Sequence, residues 1–137
     1  MTMRYLAVCA ALLLLGTACA QKVAFNPSST VPAADVKAKI TRDSNNNAQI
    51  ELNVEHLADP KRLDPPKDVY VVWGETPGGR RFNLGRLVVD KDRRGTLKTT
   101  TSLEEFRLLV SAEYLSAANA SSPGTFPILV TDFFRVK

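Results

Sequence analysis

The sequence predicts an all-β domain of two antiparallel sheets packed face to face. Three observations carry that expectation. Apolar and polar residues alternate with period two along several segments after residue 34, as half-buried strands require. Clusters of Asn, Asp, Gly and Pro punctuate these runs (RDSNNN, TPGG, KDRRG), at hairpin spacing. No segment holds a long 3.6-residue apolar period, so folds built from strand–helix–strand units are not expected.

Met1–Ala20 comes first. Arg4 precedes an apolar run from Tyr5 to Leu15, and small residues follow from Gly16 to Ala20. That is the three-part layout of a secretory signal, and the run is shorter than the roughly 20 residues of a membrane span. Two cleavage readings stand side by side. ACA at Ala18–Ala20 suits ordinary signal peptidase, which leaves Gln21 first. LLGTAC resembles a bacterial lipobox, which makes Cys19 the lipidated first residue, although Gly16 holds the place where a lipobox usually has Leu. Several acyl chains on Cys19 would anchor the protein stably. Residues 21–34 contain two prolines, a Ser-Ser-Thr run and no period. They read as a flexible linker, able to reach roughly 45 Å when extended at about 3.3 Å per residue.

The domain itself is expected over 35–137. Asp35–Thr41 alternates, with Val36, Ala38 and Ile40 inward, and Ala48–Leu57 alternates again around Ile50, Leu52 and Val54. RDSNNN between them makes a hairpin. Ala58–Asp68 holds three prolines and reads as a stiff crossing between sheets. Val69–Trp73 is apolar on both faces, the mark of a central strand covered on both sides. Trp73 is expected as a core pillar whose indole N–H reaches a carbonyl. ETPGGRR turns the chain into Phe82–Asp90, where Gly85 suggests a bulge or a close backbone approach. Thr96–Thr101 is a short strand. Ser102–Phe106 is predicted as a helical turn, with Ser102 and Glu105 as a capping box. Arg107–Tyr114 is the sixth strand, LSAANASSPG a mobile loop, and Thr125–Val136 the last strand, with Pro127 near its start. Seven strands joined by hairpins and longer crossings suggest an immunoglobulin-like Greek-key sandwich.

Composition narrows the function. Of the 137 residues, 45% are hydrophobic and 23% charged, ordinary globular values. The chain has 18 basic and 14 acidic side chains; losing Arg4 with the leader leaves 17, a net charge of +3. That is well short of the basic stripe of a nucleic-acid binder, and no nucleic-acid partner is expected. The only cysteines are Cys9 and Cys19, so nothing after Ala20 can form a disulfide, a thiolate zinc site or a thiol nucleophile.

Val69–Leu97, VYVVWGETPGGRRFNLGRLVVDKDRRGTL, carries a resemblance. Its marks are Tyr70 and Trp73 three apart, the TPGG turn, and Leu84-Gly85, followed by TTTSLEEFRLLVSAEY. The segment is similar to the extracytoplasmic sandwich domain of anti-sigma-K factors. It is more similar still to a sandwich module of exported bacterial proteins that precedes OmpA-like domains. The resemblance covers Asp68–Val136 and implies a fold without an assigned chemistry.

The candidate chemistry is sparse. His56 is the only histidine, and its neighbour Glu55 points to the other face of the same strand; neither a metal nor any other cofactor is expected. Serines cluster in Ser28–Ser29 and Ser121–Ser122, away from any recognisable nucleophile motif. The pairs Asp90/Asp92 and Glu104/Glu105 fall in a turn and at a helical start. Arg80, Arg81, Arg86, Lys91, Arg93 and Arg94 form the main basic cluster, on two turns and the strand between them. Arg80, Arg81, Arg86, Arg93 and Arg94 are the candidate binding residues, for anionic lipid, an envelope polymer or an acidic protein patch. The expectation is a non-catalytic, exported interaction or scaffolding module. It is held on the periplasmic side of a membrane through Cys19, or is soluble and periplasmic or secreted if Cys19 is not lipidated. An extracytoplasmic sensory or regulatory domain is the first rival reading, and a small metal-binding or hydrolytic protein the second.

Overall fold

The computed structural model describes residues 19–137. Most of the segment read as an export signal, residues 1–18, lies outside them. Nine strands form among the described residues: β1 (Gln21–Ala24), β2 (Asp35–Arg42), β3 (Ala48–Glu55), β4 (Val69–Glu75), β5 (Arg81–Leu87), β6 (Gly95–Thr101), β7 (Glu105–Glu113), β8 (Leu129–Val130) and β9 (Phe134–Arg135). They make two antiparallel sheets stacked as a sandwich. One runs β1-β2-β3-β6, the other β5-β4-β7-β8, with β9 also on β7.

The first sheet follows directly from period two. Along β2 every second residue is buried, and β3 matches it in register, Val36 to Val54, Ala38 to Leu52 and Ile40 to Ile50. Asp43 closes their hairpin by accepting the N–H groups of Asn45 and Asn47, both at 2.9 Å; Asn46 takes the positive φ of 64° that Asn tolerates. The Pro-rich stretch after β3 carries the chain to the second sheet, as the sequence suggests. Tyr70 braces it, its hydroxyl donating to the Ala58 carbonyl at 2.6 Å. Burial, with the Asp59 carboxylate adding to it, pushes the Tyr70 phenol well above its ordinary value.

The second sheet has two covered faces. Tyr70, Val72, Leu108 and Val110 meet the first sheet in the main core. Val71, Trp73 and Leu109 point the other way and pack with Ala118 in a second core on the outer face. The stretch expected as a mobile loop is the cover of that second core. It opens with a 3-10 turn, Leu115–Ala117, it buries Ala118 to 1% exposure, and Asn83 on β5 donates to the carbonyls of Ala118 and Ala120.

A bulge sits where the sequence suggests one. Val72 pairs with Gly85 and Trp73 with Asn83, which leaves Leu84 as the extra residue. Gly85 adopts φ +128°, outside the range of L side chains, and accepts no Cβ without strain. Gly85→Ala is expected to lower stability by about 1–3 kcal/mol, read from the urea midpoint at unchanged slope.

Four expectations fail for local reasons. Residues 21–34 do not form a flexible linker throughout. Val23 lies opposite Ala38 as β1 joins β2, Phe25 bridges to Thr131 on the other sheet, and Val31 is buried. Ser102–Phe106 is not a helical turn: Glu105 and Phe106 pair with Arg135 and Phe134 as the start of β7. Burial of Phe106, whose ring lies 4.6 Å from that of Phe134, outweighs the capping signal. The strand expected to reach Asp90 stops at Leu87. Asp90 instead turns the chain, its side chain accepting the Asp92 and Arg94 N–H groups at 2.8 and 3.0 Å. The last strand is split because the Thr131 hydroxyl, not a main-chain carbonyl, accepts the Leu108 N–H; the chain breaks there into β8 and β9.

Candidate functional site

Cys19 is exposed, and only Ala20 separates it from β1. The start of β1 is fixed. The Gln21 amide donates to the Arg135 carbonyl and accepts the Lys137 N–H, each at 3.1 Å. Arg42 donates to the carbonyls of Asn46, Val136 and Lys137. Strand directions place Cys19 at the end of the sandwich that carries the 43–47 and 76–80 turns and the C-terminus. The loops 25–34, 56–68, 88–94 and 114–128 lie at the opposite end. Val88, Leu115 and Phe126 are exposed on those far loops, Phe126 to 93%.

The candidate arginines do not converge. Arg80 precedes β5, Arg81 begins it, and Arg93 and Arg94 follow its end, about 20 Å away at the rise of a seven-residue strand. Lys91 shares the second turn. The Arg80 guanidinium lies over the Phe82 ring, 5.3 Å from its centre. Arg86 reaches the Asn119 side chain at 3.4 Å. Arg93 takes φ 62° in the turn, and Arg94 lines a small cleft of about 430 Å³ beside Glu55 and Asp90.

Arg81 is committed elsewhere. It pairs with Glu75, which also receives the Arg107 Nε–H at 2.7 Å. Glu75 is 5% exposed. Burial alone would raise its carboxyl, but the guanidinium groups of Arg81 and Arg107 outweigh that and hold it below the ordinary carboxylate range. Phe133 stacks on Arg107 at 4.8 Å.

A second polar chain escaped the sequence reading. The Trp73 indole N–H donates to Ser111 Oγ at 2.8 Å, a hydroxyl rather than the expected carbonyl, and Ser111 donates to Glu113 Oε1 at 2.7 Å. Glu113 also accepts the Gly124 N–H at 3.1 Å. Ser111 and Glu113 are 0% and 1% exposed, so the chain ties the covering loop to the sheet. The available signal is SAE itself: Ser111 and Glu113, two apart on one face, directly after the apolar run Leu108–Val110.

His56 follows the end of β3 with φ 57°. Among the described residues, no three His, Cys, Asp or Glu side chains gather around a point a metal could occupy. A cleft of about 790 Å³ runs along β1 and β2, with Phe25, Pro27 and Pro32 among its apolar lining and Lys22, Lys37 and Lys39 among its charged lining. No described helix is long and apolar enough to cross a membrane. Compared with known protein families, curated proteins and solved structures, the chain matches none of them.

Proposed function

We propose that the protein is an exported, non-catalytic interaction or scaffolding module of a bacterial envelope, anchored by lipid on Cys19. The observation that carries this reading is the position of Cys19, exposed at one end of the sandwich and opposite the four long loops. The resemblance read from the sequence of Asp68–Val136 to exported sandwich modules supports it, as does the strand order. We read β2-β3-β6 packed against β5-β4-β7-β8 as a seven-stranded immunoglobulin-like Greek key, to which β1 and β9 are additions.

The anchor leaves no slack. One free residue spans about 3.5 Å, so a lipidated Cys19 sets the 43–47 and 76–80 turns against the headgroups. The far loops then stand off by the length of eight-residue strands, about 25 Å, where they can meet a partner. Mass spectrometry of the mature chain from envelope fractions is expected to find Cys19 as an acylated first residue. Cys19→Ala is expected to move the protein from the membrane pellet to the soluble fraction. A mature chain that begins at unmodified Gln21 would overturn the anchor.

A further inference from the structure

The cleft beside β1 combines features that the fold does not require. It opens where β1 parts from its neighbour. After Ala24 the chain leaves β2, Phe25 bridges to Thr131, and the Asn26 N–H donates to the Val130 carbonyl at 2.9 Å. Pro27–Ala34 then loops back to begin β2, and the gap between the departing and returning chain is the cleft. Its accessible apolar lining comes from Ala24, Phe25, Pro27 and Pro32, while Val36, Ala38 and Leu129 border it from within the main core.

Its charge is one-sided. Lys22, Lys37 and Lys39 line it against one carboxylate of the lining, Asp35, with Glu51 on β3 opposite Lys39 beyond it. Asp35 lies 3.7 Å from Lys37, whose side chain remains 80% exposed. Lys22 and Lys39 stand directly opposite each other on β1 and β2, an arrangement of like charges that destabilises a strand pair. An anion lodged between them would remove that repulsion. The volume, about 790 Å³, lies within the range of small-molecule sites, roughly 300–1,000 Å³.

We infer that this cleft binds a single-chain anionic amphiphile, a long-chain carboxylate. Its head sits between Lys22 and Lys39, and its alkyl chain follows β1 past Ala24 toward Phe25 and the two prolines. The cationic pair recognises the head, and the apolar wall supplies the binding energy by removing hydrocarbon from water. The site does not depend on Cys19, so it stands for the lipidated and the soluble chain alike.

The test uses the purified mature protein and the fluorescent fatty acid cis-parinarate. Saturable one-to-one uptake, displaced by oleate, is expected. The triple variant K22Q/K37Q/K39Q is expected to weaken parinarate binding at least about tenfold, or about 1.4 kcal/mol, while it leaves the methyl ester's weaker binding unchanged. Ala24→Trp, at an exposed cleft position, is expected to block both ligands; Trp73 fluorescence in the triple variant confirms that it folds. Absence of saturable uptake, an unchanged triple variant, or equal affinity for the ester would each overturn the inference. So would lysine-dependent binding of phosphatidylglycerol vesicles without parinarate uptake, which would make the lysines a membrane-contact patch.

Discussion

Trp73→Ala is expected to destabilise the domain by about 3–5 kcal/mol, the range for truncating a large buried aromatic. Trp73 is fully buried between β4 and the 114–128 loop, with Val71, Leu109 and Ala118 around it. The variant leaves a cavity and removes the donor to Ser111, the first link of the chain that reaches Glu113 and Gly124. Trp73→Phe separates the two effects. It keeps most of the packing and loses one hydrogen bond, so its expected cost is about 1–2 kcal/mol. Urea unfolding followed by circular dichroism measures both. Limited proteolysis locates the damage, since Trp73→Ala should expose the 114–128 loop to cleavage before global unfolding. A near-neutral Trp73→Ala would contradict the second core.

Glu75→Ala is expected to be the next most damaging change, because it leaves Arg81 and Arg107 facing each other without their shared carboxylate. Breaking a fully buried pair costs about 3–5 kcal/mol. The two arginine side chains are 35% and 33% exposed, so water screens part of the loss and about 2 kcal/mol is expected. The pH dependence gives a second reading. A carboxyl held below its ordinary value in the folded chain stabilises the fold above that ordinary value, and the contribution fades as pH falls through the depressed one. The stability gap between wild type and Glu75→Gln should therefore be full at neutral pH and close in acid. A gap that stays constant down to the acid limb would remove Glu75 as the source.

The parts of the fold legible in the sequence are those where one face decides burial. β2 and β3 were readable because Val36, Ala38, Ile40, Ile50, Leu52 and Val54 alternate with charged or amide residues. The doubly covered β4 was readable because Val69–Trp73 has no polar face. What stayed hidden depends on partners distant in sequence. β1 has the composition of a linker, and only its neighbours β2 and Thr131 make it part of the sheets. Glu105 reads as a helix cap until Arg135, 30 residues on, claims it. Of the candidate site residues, Arg81 gave no sign that Glu75 would occupy it, since the pairing needs the hairpin to bring the two side chains onto one face. The lysines of the cleft sit on strands whose pairing no local pattern announces.

The two termini of the folded part share one margin of the sandwich: Gln21 bonds to Arg135 and Lys137, and Phe25 meets Thr131. The polypeptide is in effect a ring with a single cut. During synthesis from the amino end, the first strand must wait for residues more than a hundred positions later before that margin can close, the kind of distant pairing that slows folding. A circular permutant that joins the old ends and opens the Thr76–Arg80 turn would keep every strand neighbour while changing which contacts form last.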